Sequence, residues 1–109
     1  MIDVPASGLE FDKEGFLAKL SDWDESVAKI IARNEGIELS EAHWQVIHLL
    51  RDFYAATEVS PAMRPFVKLV KDGLGPEQGN SIYLMELFGA SPAKMAAKCA
   101  GLPRPTNCL

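Results

Sequence analysis

The apolar residues of this chain recur at the spacing of an α-helix from about residue 21 almost to the end, and capping and breaking residues divide the pattern into short segments. The first helix is predicted to begin near Ser21 or Asp24, which stand at the spacing of a capping box, and to end before Gly36. Short amphipathic helices bury their apolar faces only by packing together. A mostly helical fold is therefore expected.

The second predicted helix, over residues 41–56, follows Ser40 as its N-cap. Its apolar residues cover a wide arc, which predicts a central helix contacted on several sides. The third helix is predicted to start with Ser60 as N-cap and Pro61 as its first residue. The third helix is predicted to continue to about residue 71. A fourth helix, over residues 82–88, is predicted with Asn80 or Ser81 as its cap, and Pro92 is predicted to open a fifth helix over residues 93–100.

Both ends of the chain depart from the helical pattern. Apolar residues 2–4 and 9–11 flank a turn-forming segment at 5–8, which predicts a small β-hairpin. At the other end Gly101 stops the last helix, and two prolines keep the following residues extended. A chain of 109 residues fits one domain. The expected fold class is α+β and mostly helical, with a globular body over 1–100 and an extended arm over 101–109.

Charge is unevenly distributed along the chain, whose net charge is −4. Residues 1–58 carry 12 acidic and 5 basic side chains, whereas residues 59–109 carry 3 acidic and 6 basic side chains. The acidic balance argues against general nucleic-acid binding, but the second half can present a basic face. Neither a membrane-spanning run nor the pattern of a signal peptide is present, so we expect a cytoplasmic protein.

No cofactor or metal is expected from the motifs. His43 and His48 lie five residues apart, which places them off a common helix face, and no cysteine or acidic cluster joins them. One of them is expected to cap or pack instead. The glycine-rich stretch at 73–80 lacks the Gly-Lys-Ser/Thr ending of a phosphate-binding loop, and it is interpreted as a turn between helices.

A basic face is predicted on the third helix, where Arg64, Lys68 and Lys71 are spaced at i, i+4 and i+7. The simpler interpretation is a solvated helix face. The alternative is a docking surface for an acidic partner or for RNA phosphates. Further positive charge near the arm comes from Lys94, Lys98 and Arg104.

The two cysteines differ in their surroundings. Cys108 is the penultimate residue, at the end of an arm that can reach up to ~30 Å from the body, so its thiol could enter the active site of another protein. A chance cysteine at a chain end is the other interpretation. Cys99 is expected to be a small buried residue of the last helix, although it could also pair with Cys108.

Several segments together carry a resemblance to a known family. They are Asn-Glu-Gly-Ile at 34–37, His-Trp at 43–44, Leu-Arg-Asp-Phe-Tyr at 50–54, Ser-Pro-Ala-Met-Arg at 60–64, Gly-Asn-Ser-Ile-Tyr-Leu at 79–84, Leu-Phe at 87–88, Pro-Ala-Lys at 92–94 and Ala-Gly-Leu-Pro-Arg-Pro at 100–105. With these segments and the penultimate Cys108, nearly the whole chain resembles the DsrC/TusE family of sulfur-carrier proteins.

The resemblance implies a small N-terminal β meander packed on about five helices, with a mobile C-terminal arm. It implies a sulfurtransferase in which Cys108 carries sulfur as a persulfide, without turnover of its own. The implied donor is a TusBCD-like complex. The implied acceptor is the tRNA 2-thiouridylase MnmA, which thiolates the wobble uridine. Activation of Cys108 is expected from the partner's active site, aided by Arg104.

One departure separates the chain from the DsrC branch, for which the resemblance implies a second arm cysteine. That position is occupied here by Ala97, and Cys99 lies two residues later, rotated by about 200° on a helix. The sequence therefore resembles the TusE branch more closely. A DsrC-like carrier in dissimilatory sulfur metabolism is the alternative, and a small nucleic-acid-binding regulator is an alternative of another class.

Overall fold

The chain is described here from a computed structural model, which describes residues 9–105. This part of the chain folds into one short 3-10 helix, Leu20–Asp22, and five α-helices. The α-helices are α1 (Glu25–Asn34), α2 (Glu41–Thr57), α3 (Met63–Leu74), α4 (Ser81–Phe88) and α5 (Pro92–Cys99). The prediction of a mostly helical fold with about five helices is confirmed. Within residues 9–105, no helix has the length and apolar character needed to cross a bilayer.

The start of α1 is set by a single capping residue. The Asp24 side chain accepts a hydrogen bond from the backbone N–H of Val27 at 3.0 Å. Ser21 lies in the 3-10 helix, so the predicted capping box between Ser21 and Asp24 is not formed. The reason is local: the chain turns extended at Trp23, and α1 begins only after it.

The start of α2 involves a histidine. His43 Nδ1 accepts a hydrogen bond from the Ser40 N–H at 3.0 Å, and His43 Nε2 lies 2.7 Å from the Leu87 carbonyl oxygen. A backbone N–H can only donate and a carbonyl can only accept, so the ring is neutral with its proton on Nε2. His43 therefore caps α2 and ties it to the end of α4, as was expected of one of the two histidines.

The predicted start of α3 at Pro61, with Ser60 as N-cap, is wrong by two residues, since the helix begins at Met63 after Ala62 as N-cap. The Ser60 hydroxyl does not cap the helix; it donates to the Pro103 carbonyl oxygen at 2.7 Å. Pro65 is the third residue of α3, a position whose N–H would have no acceptor within the helix, so the proline is tolerated there. The helix also continues beyond the predicted end, to Leu74.

The central helix is α5, not α2 as the sequence predicted. It packs against α1, α2, α3 and α4. The small residues Ala96, Ala97 and Cys99 are almost completely buried, and their size allows neighbouring helices to approach closely. The wide apolar arc of α2 correctly indicated burial, but the small residues of α5 decide which helix lies in the middle.

The predicted N-terminal hairpin is not supported. Residues 2–4 lie outside the described residues, and no strand is formed within residues 9–105. A single antiparallel bridge joins Phe11 to Leu17. It closes a turn in which the Asp12 carboxylate accepts hydrogen bonds from the backbone N–H groups of Glu14 and Phe16. Glu10 and Phe11 are thus paired with the chain that follows them, and the side chains of Phe16 and Leu17 enter the core.

Candidate functional site

Cys108 lies outside the described residues, so the candidate site is built from the residues that lead to it. Residues 100–105, here called the arm root, leave α5 and pack on the helices. Leu102 is completely buried in the core, and Pro105 is also buried. Burial of a leucine side chain contributes about 1.5–3 kcal/mol. The first part of the predicted arm is therefore attached to the body.

The turn from α5 into the arm root depends on Gly101. Its φ is +74°, in the left-handed region that favours glycine. The Gly101 N–H donates to the Lys98 carbonyl and the Leu102 N–H donates to the Ala97 carbonyl, which closes the end of the helix. A Cβ at this position would also overlap the ring of Trp23. Glycine is thus required by both the backbone and the packing.

Two side chains hold the last carbonyls of α5, which have no donors within the helix. Trp23 Nε1–H donates to the Cys99 carbonyl oxygen at 2.9 Å, and Arg51 Nη1–H donates to the Ala100 carbonyl oxygen at 2.7 Å. The Arg51 guanidinium lies 4.1 Å from the centre of the Trp23 ring, a cation–π contact. We call this pair the Trp23–Arg51 clamp. It fixes the point at which the arm leaves the body.

A third attachment comes from Arg104. Its Nη2 lies 3.0 Å from Asp12 Oδ2 and 3.3 Å from Glu14 Oε1. The Asp12 carboxylate is kept ionised because hydrogen bonds from the N–H groups of Phe16 and Glu14, together with the charge of Arg104, hold the pKa of Asp12 below its ordinary value. In this arrangement the Arg104 guanidinium is bound to two carboxylates. Its role in activating Cys108 stays a prediction.

Cys99 is a free thiol beneath the clamp and is completely buried, as expected. Burial raises the pKa of Cys99 to about 12, and the negative charge of Glu35 acts in the same direction. Since the thiolate is the nucleophile in sulfur chemistry, Cys99 is unreactive at neutral pH in this arrangement. The helix persists to Cys99, so the side chain is held in the core and not on the arm.

The predicted basic residues are not equivalent. Arg64 and Lys71 are exposed on α3 and form no ion pair within the part of the chain that the structure describes, whereas Lys68 is paired with Asp72 at 3.0 Å. Lys94 Nζ lies 3.5 Å from Glu14 Oε1. Lys98 is buried, with its ammonium 2.9 Å from Glu35 Oε2. Its charge is therefore used inside the fold and is not offered to a docking surface.

A groove of about 450 Å³ opens where the arm root ends. Its lining includes Met63, Met85, Pro92, Ala93, Lys94 and Pro105. We call it the Pro105 groove. It is bordered by the start of α3, α4 and the start of α5, so the last described residue before the arm's cysteine lies in an apolar surface.

Both histidines are engaged with neighbouring residues. The His48 ring stacks on Trp44 and its Nε2 lies 3.1 Å from Glu25 Oε2. Among residues 9–105 no group of three or more metal-binding side chains is found. The glycine-rich stretch completes α3 at Leu74 and then turns into α4, as interpreted from the sequence, and Gly79 packs directly against the backbone of Lys71.

The sequence did not predict that Trp23 and Arg51 bind the carbonyl groups at the end of α5. Trp23 is separated from Cys99 by 76 residues, and Arg51 from Ala100 by 49 residues. A buried tryptophan N–H or arginine needs an acceptor, which is the signal available in sequence. The identity of that acceptor is set by the packing of α5.

The family model described as DsrC like protein matches residues 4–109. The chain is 55% identical over 98 residues to the sulfurtransferase TusE of Sodalis glossinidius (strain morsitans), covering 90% of this chain and 91% of that one. It is 50% identical over 109 residues to the sulfurtransferase TusE of Escherichia coli (strain K12), covering 100% of both chains.

Among solved structures, the NMR structure of Allochromatium vinosum DsrC matches with a TM-score of 0.88 at 44% sequence identity. The match covers 99% of this chain and 96% of that chain. The family expected from the sequence motifs is thereby confirmed. The chain belongs to the DsrC-like family and, within it, with the sulfurtransferases named TusE.

Proposed function

We propose that this protein is a sulfur-relay protein of the cytoplasm in which Cys108 carries the sulfur. It accepts sulfane sulfur from a TusBCD-like complex and passes it to a tRNA 2-thiouridylase of the MnmA type, for 2-thiolation of the wobble uridine. The names of the relatives support a sulfurtransferase. The donor and the acceptor are our proposal.

The observation that carries the proposal is the attachment of the arm root up to Pro105, three residues before the penultimate cysteine. Three residues span at most about 11 Å. A cysteine on so short a tether stays within about 11 Å of Pro105, and its sulfur can still enter the active site of a partner. That combination suits a protein that hands over sulfur and does no chemistry on a bound small molecule.

The transfer needs no cofactor. The Cys108 thiolate attacks the outer sulfur of the donor's persulfide, and the donor's cysteine leaves as a thiolate, so that Cys108 becomes Cys–S–SH. The acceptor's cysteine thiolate then attacks the outer sulfur, and the Cys108 thiolate leaves. Oxidation states are conserved in each exchange. Activation of the uridine belongs to the acceptor.

The state of Cys99 favours a relay with one cysteine over a DsrC-like carrier with two. The position of the second family cysteine is Ala97, and the thiol that lies nearby is buried, with its pKa raised to about 12 by burial. A Cys99–Cys108 disulfide would require the end of α5 to open against the Trp23–Arg51 clamp. We expect that disulfide to form slowly under mild oxidation.

Nucleic-acid binding by the isolated protein stays the alternative of another class. The exposed cations on α3 are Arg64, Lys68 and Lys71, of which Lys68 is paired with a neighbouring aspartate. With a net charge of −4, we expect weak, salt-sensitive binding of duplex DNA at most.

The test is a reconstituted relay with a cysteine desulfurase, the TusBCD-like donor, this protein, the thiouridylase, ATP, tRNA and radiolabelled cysteine. Label in 2-thiouridine is expected to require this protein and to disappear with Cys108→Ser. The matched control, Cys99→Ser, is expected to transfer sulfur at the wild-type rate. Undiminished label with Cys108→Ser would overturn the proposal.

A further inference from the structure

We propose that the Pro105 groove is the docking surface for the protein that takes sulfur from Cys108. The inference rests on the proposed function and deepens it by assigning the surface. The partner is expected to place apolar side chains in the groove beside its acceptor cysteine, with a carboxylate facing Arg64.

Cys108 lies within a short length of chain of the Pro105 groove. The clamp, the buried Leu102 and the bond from Ser60 fix the chain as far as Pro103, and Pro105 lines the groove. Cys108 follows Pro105 by three residues, which span at most about 11 Å. An acceptor cysteine must come within bonding distance of the transferred sulfur. The surface that carries it must therefore come close to Pro105, which lines the groove, while the arm root stays attached.

Large apolar side chains are exposed in and beside the Pro105 groove. Met85 lines the groove and is 45% exposed, and Ile82, three residues earlier on α4, is 71% exposed. Residues at i and i+3 share a helix face, so the apolar surface of the groove continues along α4. Exposed apolar patches mark interaction surfaces, and methionine adapts its shape to different partners.

Basic side chains lie beside the Pro105 groove. Arg64 adjoins Met63 at the start of α3, is exposed and has no ion pair within residues 9–105. Lys94 lines the groove, and its ammonium is paired with Glu14 at 3.5 Å. Arg64 is therefore the cation beside the groove whose charge is not paired within the described residues. A partner with carboxylates around an apolar segment complements it, whereas a nucleic acid would leave the methionines and Ile82 exposed.

The first experiment places the contact without mutation. The protein is labelled with ¹³C in its methionine methyl groups and titrated with the thiouridylase. The signals of Met63 and Met85 are expected to shift or broaden, while Met95, which is outside the groove lining, changes little. Binding without changes at Met63 and Met85 would overturn the proposal, and so would absence of binding. Concentration-dependent shifts of these signals without partner would assign the groove to a second copy instead. Shifts on removal of residues 106–109 would assign it to the chain's own arm.

The second experiment separates docking from chemistry. Persulfide-loaded protein is given either the thiouridylase or cyanide, which removes the outer sulfur as thiocyanate. Met85→Glu is expected to slow transfer to the thiouridylase by about tenfold or more, the effect of losing ~1.4 kcal/mol of binding, while cyanide reacts at the wild-type rate.

Leu20→Glu is the matched control, since Leu20 is 38% exposed and lies outside the groove lining, and it is expected to leave both rates unchanged. Unchanged transfer with Met85→Glu would overturn the proposal, as would an equal loss with cyanide. Should Met85→Glu fail to fold, Arg64→Glu replaces it, with the same outcomes. Failure to load Cys108 at all would refute the proposed function, and is thus distinguishable from failure of the docking surface.

Discussion

Replacement of Arg51 by methionine tests whether the clamp keeps the end of α5 closed. The variant loses a charge-assisted hydrogen bond to the Ala100 carbonyl, worth about 1.5–3 kcal/mol. It also loses the cation–π contact with Trp23, which is worth about 0.5–1 kcal/mol even at an exposed site. Ala100 is completely buried, so its carbonyl is left without a donor. We expect opening of this segment to become easier by about 2–4 kcal/mol.

The opening can be measured through Cys99, which reacts only when it is exposed. In a Cys108→Ser background, alkylation of Cys99 under native conditions is followed by mass spectrometry. Since each 1.4 kcal/mol is a factor of ten, Arg51→Met should accelerate the reaction by about 30- to 1,000-fold. Arg64→Met is the control, because Arg64 is exposed and has no ion pair in the described part of the chain. An unchanged alkylation rate with Arg51→Met would refute the role of the clamp.

Three further predictions concern stability and protonation. Burial raises the pKa of Cys99 to about 12, whereas the thiol of the unfolded chain loses its proton above about pH 8.5. Between these two values deprotonation favours the unfolded chain. The free energy of unfolding should therefore fall by at most about 1.4 kcal/mol per pH unit. Urea unfolding from pH 8 to 10.5 should show this slope in the wild type relative to Cys99→Ala; parallel curves would contradict it. Gly101→Ala combines a positive φ with overlap at Trp23, and should lower the free energy of unfolding by about 2 kcal/mol or more; wild-type stability would show that the turn can rearrange. Nitrogen-15 NMR should find His43 neutral with its proton on Nε2; a proton on Nδ1 would exclude the capping bond.

The helix boundaries show what local sequence signals can predict. Asn80 was expected as one possible cap of α4, and its side chain accepts from the Tyr83 N–H as predicted. Pro92 opens α5, also as predicted. These signals work because the capping partner lies within four residues along the chain. Ser60 was assigned wrongly because its hydroxyl bonds Pro103, 43 residues away, and a local pattern carries no information on such a partner.

In the candidate site too, features set by local sequence could be predicted and features set by long-range packing could not. The burial of Cys99 could be inferred from its residue type and position, whereas Cys108 as the sulfur carrier stays a prediction. The Trp23–Arg51 clamp could not be inferred from the sequence, because it depends on how α5 packs among four helices. Lys98 shows the same limit: as a lysine near the arm it was expected to add charge to a docking surface, but it is buried and its ammonium is paired with Glu35.

The most direct test of the central claim is the intact mass of the protein after incubation with a cysteine desulfurase, the upstream carriers and cysteine. The account predicts an added mass of about 32 Da, one sulfur atom, that is removed by a reductant. The adduct should persist in Cys99→Ser and be absent from Cys108→Ser. An adduct that persists in Cys108→Ser, or no adduct on the wild type, would contradict the claim that Cys108 carries the sulfur.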